Sequence, residues 1–83
     1  MSEVEEKVIK VLASVLDISI SEIPLDAGPG VIDKWDSLKH MILVIALEEE
    51  FDISFSDDDL TDLLSLKLII QIISEKLELI TNG

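Results

Sequence analysis

Apolar residues at Val4, Val8, Val11, Leu12, Val15 and Leu16 recur at helical spacing and predict a first amphipathic helix to about Leu16. Ser2-Glu3-Val4-Glu5 has the form of a capping box, with acids placed at the positive end of the helix dipole. From Asp17 the periodicity dissolves. Ile18, Ile20 and Ile23 alternate with polar residues, but Pro24 and Gly28-Pro29-Gly30 follow, and one short strand without a partner is not stable. Residues 17–35 therefore read as a long ordered loop with those isoleucines pinned to the core, a loop length that is often functional. A second helix is expected from Asp36 or Ser37 to near Phe51.

At about 100° per residue this second helix carries two apolar stripes. His40, Leu43, Val44, Leu47 and Phe51 share the face assigned to the core, while Leu38, Met41, Ile42 and Ile45 lie opposite, followed there by Glu48 and Glu49. Ile53 and Phe55 anchor the next turn. Ser56-Asp57-Asp58-Asp59 has the form of a capped helix start, and only a short third helix, to about Leu63, fits before Ser65. Ser65 can cap a fourth helix whose main apolar positions are Leu66, Ile69, Ile70, Ile73, Leu77 and Ile80, and Thr81-Asn82-Gly83 ends it. The expected fold is all-α: a small four-helix bundle with a long first loop and a short third helix, a single domain over residues 1–83.

Composition narrows the function classes. The chain has 83 residues, close to the lower size for a self-sufficient core, and it is 48% hydrophobic but only 4% aromatic. It has no cysteine, so no disulfide, thiolate nucleophile or Cys-based metal site contributes. Eighteen acidic and six basic residues give a formal net charge of −12, which argues against nucleic acid and anionic membranes as partners and favours basic patches on other proteins. The N-terminus is acidic where a signal peptide would be basic, and Met41 to Leu47 is too short to span a bilayer, so the expected location is cytoplasmic.

Catalysis by Ser37, His40 and Asp36 fails on geometry: serine and histidine three apart on one helix lack an oxyanion hole, and no Gly-x-Ser-x-Gly elbow is present. An EF-hand beginning at Asp52 would need Gly and Glu where Asp57 and Leu63 stand. One histidine without cysteine cannot build a zinc centre, and no glycine-rich phosphate loop exists. Read alone, Ser37 also fits a plain helix N-cap, the outer stripe a dimer seam, and Glu48-Glu49-Glu50 a solvated face.

In combination these features point further. Asp36-Ser37-Leu38, followed by a helix ending Ala46-Leu47-Glu48-Glu49-Glu50-Phe51, resembles the acyl carrier protein family, and the likeness covers almost the whole chain. A start at Met1 and a finish soon after the last helix resemble a free-standing carrier. The resemblance implies that Ser37 receives phosphopantetheine from coenzyme A through a phosphodiester, the arm's thiol then carrying acyl groups as thioesters for fatty acid, polyketide or related biosynthesis. It implies a monomeric shuttle, not an enzyme, whose partners are a phosphopantetheinyl transferase and acyl-loading and acyl-transferring enzymes. Those partners would dock on Asp36, Leu38, Met41, Ile42, Ile45, Glu48 and Glu49.

The departures from the family pattern are Lys34-Trp35 where housekeeping carriers have Gly-Ala or similar, and Lys39 and Ile42 where they have acids. They imply a specialised pathway with its own partners. Trp35 is open to two roles, contact with the arm or a partner and cover for the loop. The competing class is a small acidic non-carrier interaction domain.

Overall fold

The computed structural model describes residues 3–24 and 26–82, with side chains described through Glu78. Among the described residues the chain forms four α-helices and no strand: α1 (Glu3–Leu16), α2 (Ser37–Phe51), α3 (Asp57–Asp62) and α4 (Leu66–Asn82). The Ser2 half of the expected first capping box and the side chain of Ile80 lie outside the described residues. No helix is long and apolar enough to cross a membrane among the residues described.

Local chemistry sets the starts of α2, α3 and α4 and the ends of α1 and α2. Asp36 caps α2, its Oδ1 accepting from the Lys39 N–H at 2.8 Å. Ser56 and Asp59 cap α3 reciprocally, at 2.9 and 3.2 Å, and Ser65 Oγ accepts from Leu68 N–H at 3.3 Å at the start of α4. The first two helices stop on aspartates rather than glycines. Asp17 and Asp52 both take the left-handed conformation, at φ 56° and 53°. The next residue in each case reaches back five positions, Ile18 N to Ala13 O and Ile53 N to Glu48 O, both at 3.1 Å. This is the Schellman closure, with aspartate tolerated because its short polar side chain is at less disadvantage there than most.

The core is aliphatic, as the composition requires. Val8, Leu12 and Leu16 of α1, Leu43 and Leu47 of α2, and Leu66, Ile69 and Ile73 of α4 are all buried. Ile53 and Phe55 anchor the α2–α3 connection among them. No buried polar or charged residue interrupts the core among the described residues. Helix α1 packs on both α2 and α4, whereas α3 packs on α4 alone. Helix α2 makes no close backbone approach to α3 or α4, and side chains from the loops join those of the helices in the core.

The loop of residues 17–36 supplies some of them. Ala27 is fully buried, and its carbonyl accepts from Leu66 N–H at 2.9 Å, fastening the loop to the start of α4. Gly28 allows this approach: a Cβ there would stand 3.2 Å from the Leu64 carbonyl oxygen. Trp35, at 1% exposure, is the largest fully buried side chain described. Neither of the two roles open to it on sequence anticipates this: the indole is part of the core itself.

The loop also corrects one expectation. Ile18 and Ile23 do pack against the core, but Ile20 is 51% exposed. Alternation points every second residue inward only while the backbone stays extended, and here the chain enters a single 3₁₀ turn over Ile20–Glu22. The turn carries Ile20 outward.

Candidate functional site

The loop's last residues and the first turn of α2 assemble the site. Trp35 N–H donates to the Ile32 carbonyl at 3.0 Å, which turns the indole inward just before the helix begins. Asp36 then supplies the cap with its side chain, and its carbonyl accepts from His40 N–H at 2.9 Å. Ser37 is thus the first helical residue and not the cap. It is exposed, and its hydroxyl makes no hydrogen bond among the described residues. Of the two roles open to Ser37 on spacing, the capping one belongs to Asp36.

Beside Ser37 lies a groove of about 460 Å³ lined by Pro29, Trp35, Asp36, Ser37, His40, Leu63 and Leu64. Three separate segments build it: the Gly-Pro-Gly stretch, the start of α2, and the α3–α4 connection. Its walls are largely apolar. Among the described residues Asp36 is the one charged residue lining it.

His40 stands one turn beyond Ser37, half-buried as its position beside the core face predicts. Its Nδ1 accepts a hydrogen bond from Trp35 Nε1 at 3.0 Å, and the two rings lie 6.0 Å apart, tilted by 23°. An indole N–H can only donate, so Nδ1 is the unprotonated nitrogen and Nε2 carries the proton of the neutral ring. Burial pushes the imidazole pKa below its usual value of 6.5.

The outward stripe of α2 begins at the same place. Leu38 and Met41 are 65% and 64% exposed, Ile45 is 55% exposed, and Ile42 is exposed as well. Opposite them Leu43 and Leu47 are fully buried, with Val44 and Phe51 packed against the core. The division of α2 into two faces is as its spacing predicts. Of the acids on the outer side, Glu49 is exposed. Glu48 is half-buried, and its Oε2 accepts from the Phe55 N–H at 2.9 Å, so this carboxylate is engaged in holding the α2–α3 turn. Lys39 is only half-buried, while Lys34 reaches away to the Asp17 carbonyl at 3.3 Å. Among the described residues no cluster of His, Cys, Asp and Glu is arranged to hold a metal ion.

Spacing alone did not reveal Pro29, Leu63 and Leu64 as walls of the groove, or the Trp35–His40 bond. The available signals were the Gly-Pro-Gly cluster, and a tryptophan next to the one acid–serine pair that opens a helix. Neither carries a period.

No family model matches the chain. Individual known proteins do. It is 36% identical over 76 residues to an acyl carrier protein of Buchnera aphidicola subsp. Schizaphis graminum, covering 92% of this chain and 96% of the relative. It is 37% identical over 73 residues to an acyl carrier protein of Nitratidesulfovibrio vulgaris strain DP4, covering 88% and 96%. Over 78 residues it is 37% identical to an acyl carrier protein of Buchnera aphidicola subsp. Acyrthosiphon pisum strain Tuc7, covering 92% and 95%. With that identity sustained over 88% to 92% of an all-helical chain, the chain belongs to the acyl carrier protein family, whose members carry groups for other enzymes and are not enzymes themselves.

Proposed function

We propose that Ser37 is the attachment point of a phosphopantetheine arm and that the chain shuttles acyl thioesters within a specialised biosynthetic pathway. The observation that carries this is the state of Ser37: exposed, relieved of capping by Asp36, and opening onto a largely apolar groove. The residues present fit the group. The amide N–H groups of Ser37 and Leu38 find no acceptor among the described residues, and unpaired amides at a helix start favour an anionic phosphodiester. The groove beside them offers the arm an apolar bed on Pro29, Leu63 and Leu64.

In the attachment step the Ser37 hydroxyl passes its proton to a base of the transferase, and its oxygen bonds to the phosphorus of coenzyme A that carries the pantetheine. The bond from that phosphorus to the departing adenosine bisphosphate breaks. The arm then supplies the thiol that this cysteine-free chain lacks. Asp36 already holds the Lys39 N–H, so the helix start need not rearrange.

The exposed aliphatic stripe Leu38, Met41, Ile42 and Ile45, with Glu49 at its far end, is the docking face in this reading, and Asp36 sits at its near end. Lys39 and Ile42 make this face less acidic than that of a housekeeping carrier, which favours dedicated partners. Family membership displaces the competing reading of a non-carrier interaction domain.

Incubation with coenzyme A and a promiscuous phosphopantetheinyl transferase tests the proposal by mass spectrometry. The wild type gains the mass of one arm and Ser37→Ala gains none. Failure of several transferases to modify the folded wild type would overturn it.

A further inference from the structure

The bond between Trp35 and His40 does more than fill the core edge. Trp35 is fully buried, and its indole N–H donates to His40 Nδ1 at 3.0 Å across the boundary between loop and helix. A donor with no acceptor capacity at that position fixes the tautomer: the neutral imidazole carries its proton on Nε2. No buried side-chain nitrogen or oxygen lacks a partner among the described residues, and Nε2 has no partner there, so this N–H is accessible from outside. His40 lines the same groove as Ser37, three residues along one helix, a spacing that sets their Cβ atoms about 5–6 Å apart. An oriented, unpaired donor therefore stands beside the serine hydroxyl.

We propose that His40 is a positioning residue, held by Trp35 as an Nε2–H donor that hydrogen-bonds the phosphodiester of the arm on Ser37 and directs the arm along the groove. The proposal rests on the reading of Ser37 as the attachment point. The electrostatic surroundings are simple. Among the groove-lining residues Asp36 is the one charged group, and Pro29, Leu63 and Leu64, facing from the loop and the α3–α4 connection, bring none. Addition of a phosphodiester thus places a second negative charge near a histidine whose charged form is now opposed by burial and by the Trp35 N–H that occupies Nδ1. A neighbouring anion favours the imidazolium, so the sign of the change is upward.

The experiment compares wild type before and after arm attachment, with mass spectrometry confirming modification at Ser37. Nitrogen-15 NMR of the histidine ring follows His40, and phosphorus-31 NMR follows the phosphodiester, which does not itself titrate between about pH 5 and 8, where histidine does. Attachment is expected to raise the His40 midpoint by about one pH unit. The phosphorus signal should then shift with pH along the same midpoint. In His40→Gln, whose amide retains both an acceptor for Trp35 and a donor for the phosphate, that signal stays flat with the fold intact. A confirmed arm with an unchanged His40 midpoint and a pH-independent phosphorus signal overturns this proposal alone. No gain of mass at Ser37 overturns the attachment reading and this one with it.

Discussion

The two faces of α2 make opposite demands, and a pair of substitutions two residues apart separates them. Leu47 is fully buried, and truncation to alanine removes three carbons from a close-packed aliphatic core at a cost of about 2–5 kcal/mol. For a chain of 83 residues, total stability is about 4–12 kcal/mol, so Leu47→Ala removes a large share of it. Ile45 is 55% exposed, and Ile45→Glu gains a few tenths of a kcal/mol in helix propensity. It loses a similar amount through like charge with Glu49 one turn on, leaving a net change within about 0.5 kcal/mol.

Urea unfolding followed by circular dichroism reads both variants. With a slope of about 1 kcal/mol per molar, Leu47→Ala lowers the midpoint by about 2 M or more, while Ile45→Glu leaves it within about 0.5 M. Function sorts them the other way. Ile45→Glu puts a charge in the middle of the exposed stripe and should slow arm transfer to Ser37 or acyl loading by about tenfold, the equivalent of 1.4 kcal/mol at a docking hot spot. Unfolding of Ile45→Glu would falsify the assignment of faces. Normal folding with normal transfer would move the docking face elsewhere on the molecule, and a change in sedimentation would identify the stripe as a dimer seam.

Other outcomes follow from single contacts. Asp36→Ala removes the α2 cap and should cost about 1 kcal/mol, Asp36→Asn keeps it, and Ser37→Ala changes the melting temperature little; equal losses at positions 36 and 37 would contradict the capping assignment. Glu48→Ala leaves the part-buried Phe55 N–H without an acceptor, at about 1–3 kcal/mol, and hydrogen exchange at that amide should accelerate. At a net charge of −12, thermal stability should rise as salt or divalent cation is added at neutral pH, and an unchanged melting temperature across the series counts against self-repulsion. His40 and Asp59 both have folded pKa values below their unfolded ones, His40 through burial and Asp59 through its hydrogen bond from Lys76. The His40 contribution is therefore complete above about pH 6.5 and lost as pH falls through its lower folded value, and that of Asp59 is lost likewise below about pH 3.8. Because falling pH also relieves self-repulsion, the His40 effect is read as the difference between wild-type and His40→Gln melts from pH 7.5 to 5.

The helices were legible because each obeys a local rule. The run from Leu43 through Leu47 to Phe51 keeps one face, Ser56 and Asp59 stand at capping distance, and Ser65 precedes an apolar period. Residues three or four apart in sequence are neighbours in space, and a period records that. The groove beside Ser37 follows no such rule. Pro29, Trp35 and Leu63 are brought together only by the tertiary packing of the helices and by the bond that ties Ala27 to Leu66. The Trp35–His40 bond spans five residues, from an irregular segment into a helix, a spacing that belongs to no regular element. Ile20 failed for the converse reason: its alternation with serines was real, but a 3₁₀ turn removed the extended backbone that gives alternation its meaning.

The transfer of the cap from Ser37 to Asp36 changes what the serine can be. Had Ser37 held the cap, its oxygen would accept a backbone N–H, and derivatising that oxygen would set modification against a bond worth about 1 kcal/mol. With Asp36 in that role, the Ser37 hydroxyl contributes no bond to the helix start, and a group attached there would have none to displace. The neighbours show the same separation of tasks. Trp35 belongs to the core, Asp36 to the helix start, and Leu38 to the open face, while His40 joins the core edge to the groove. A serine in that company is held firmly by its backbone and not at all by its side chain. Under the proposed attachment, that combination would give a partner enzyme a fixed target whose reaction does not disturb the fold.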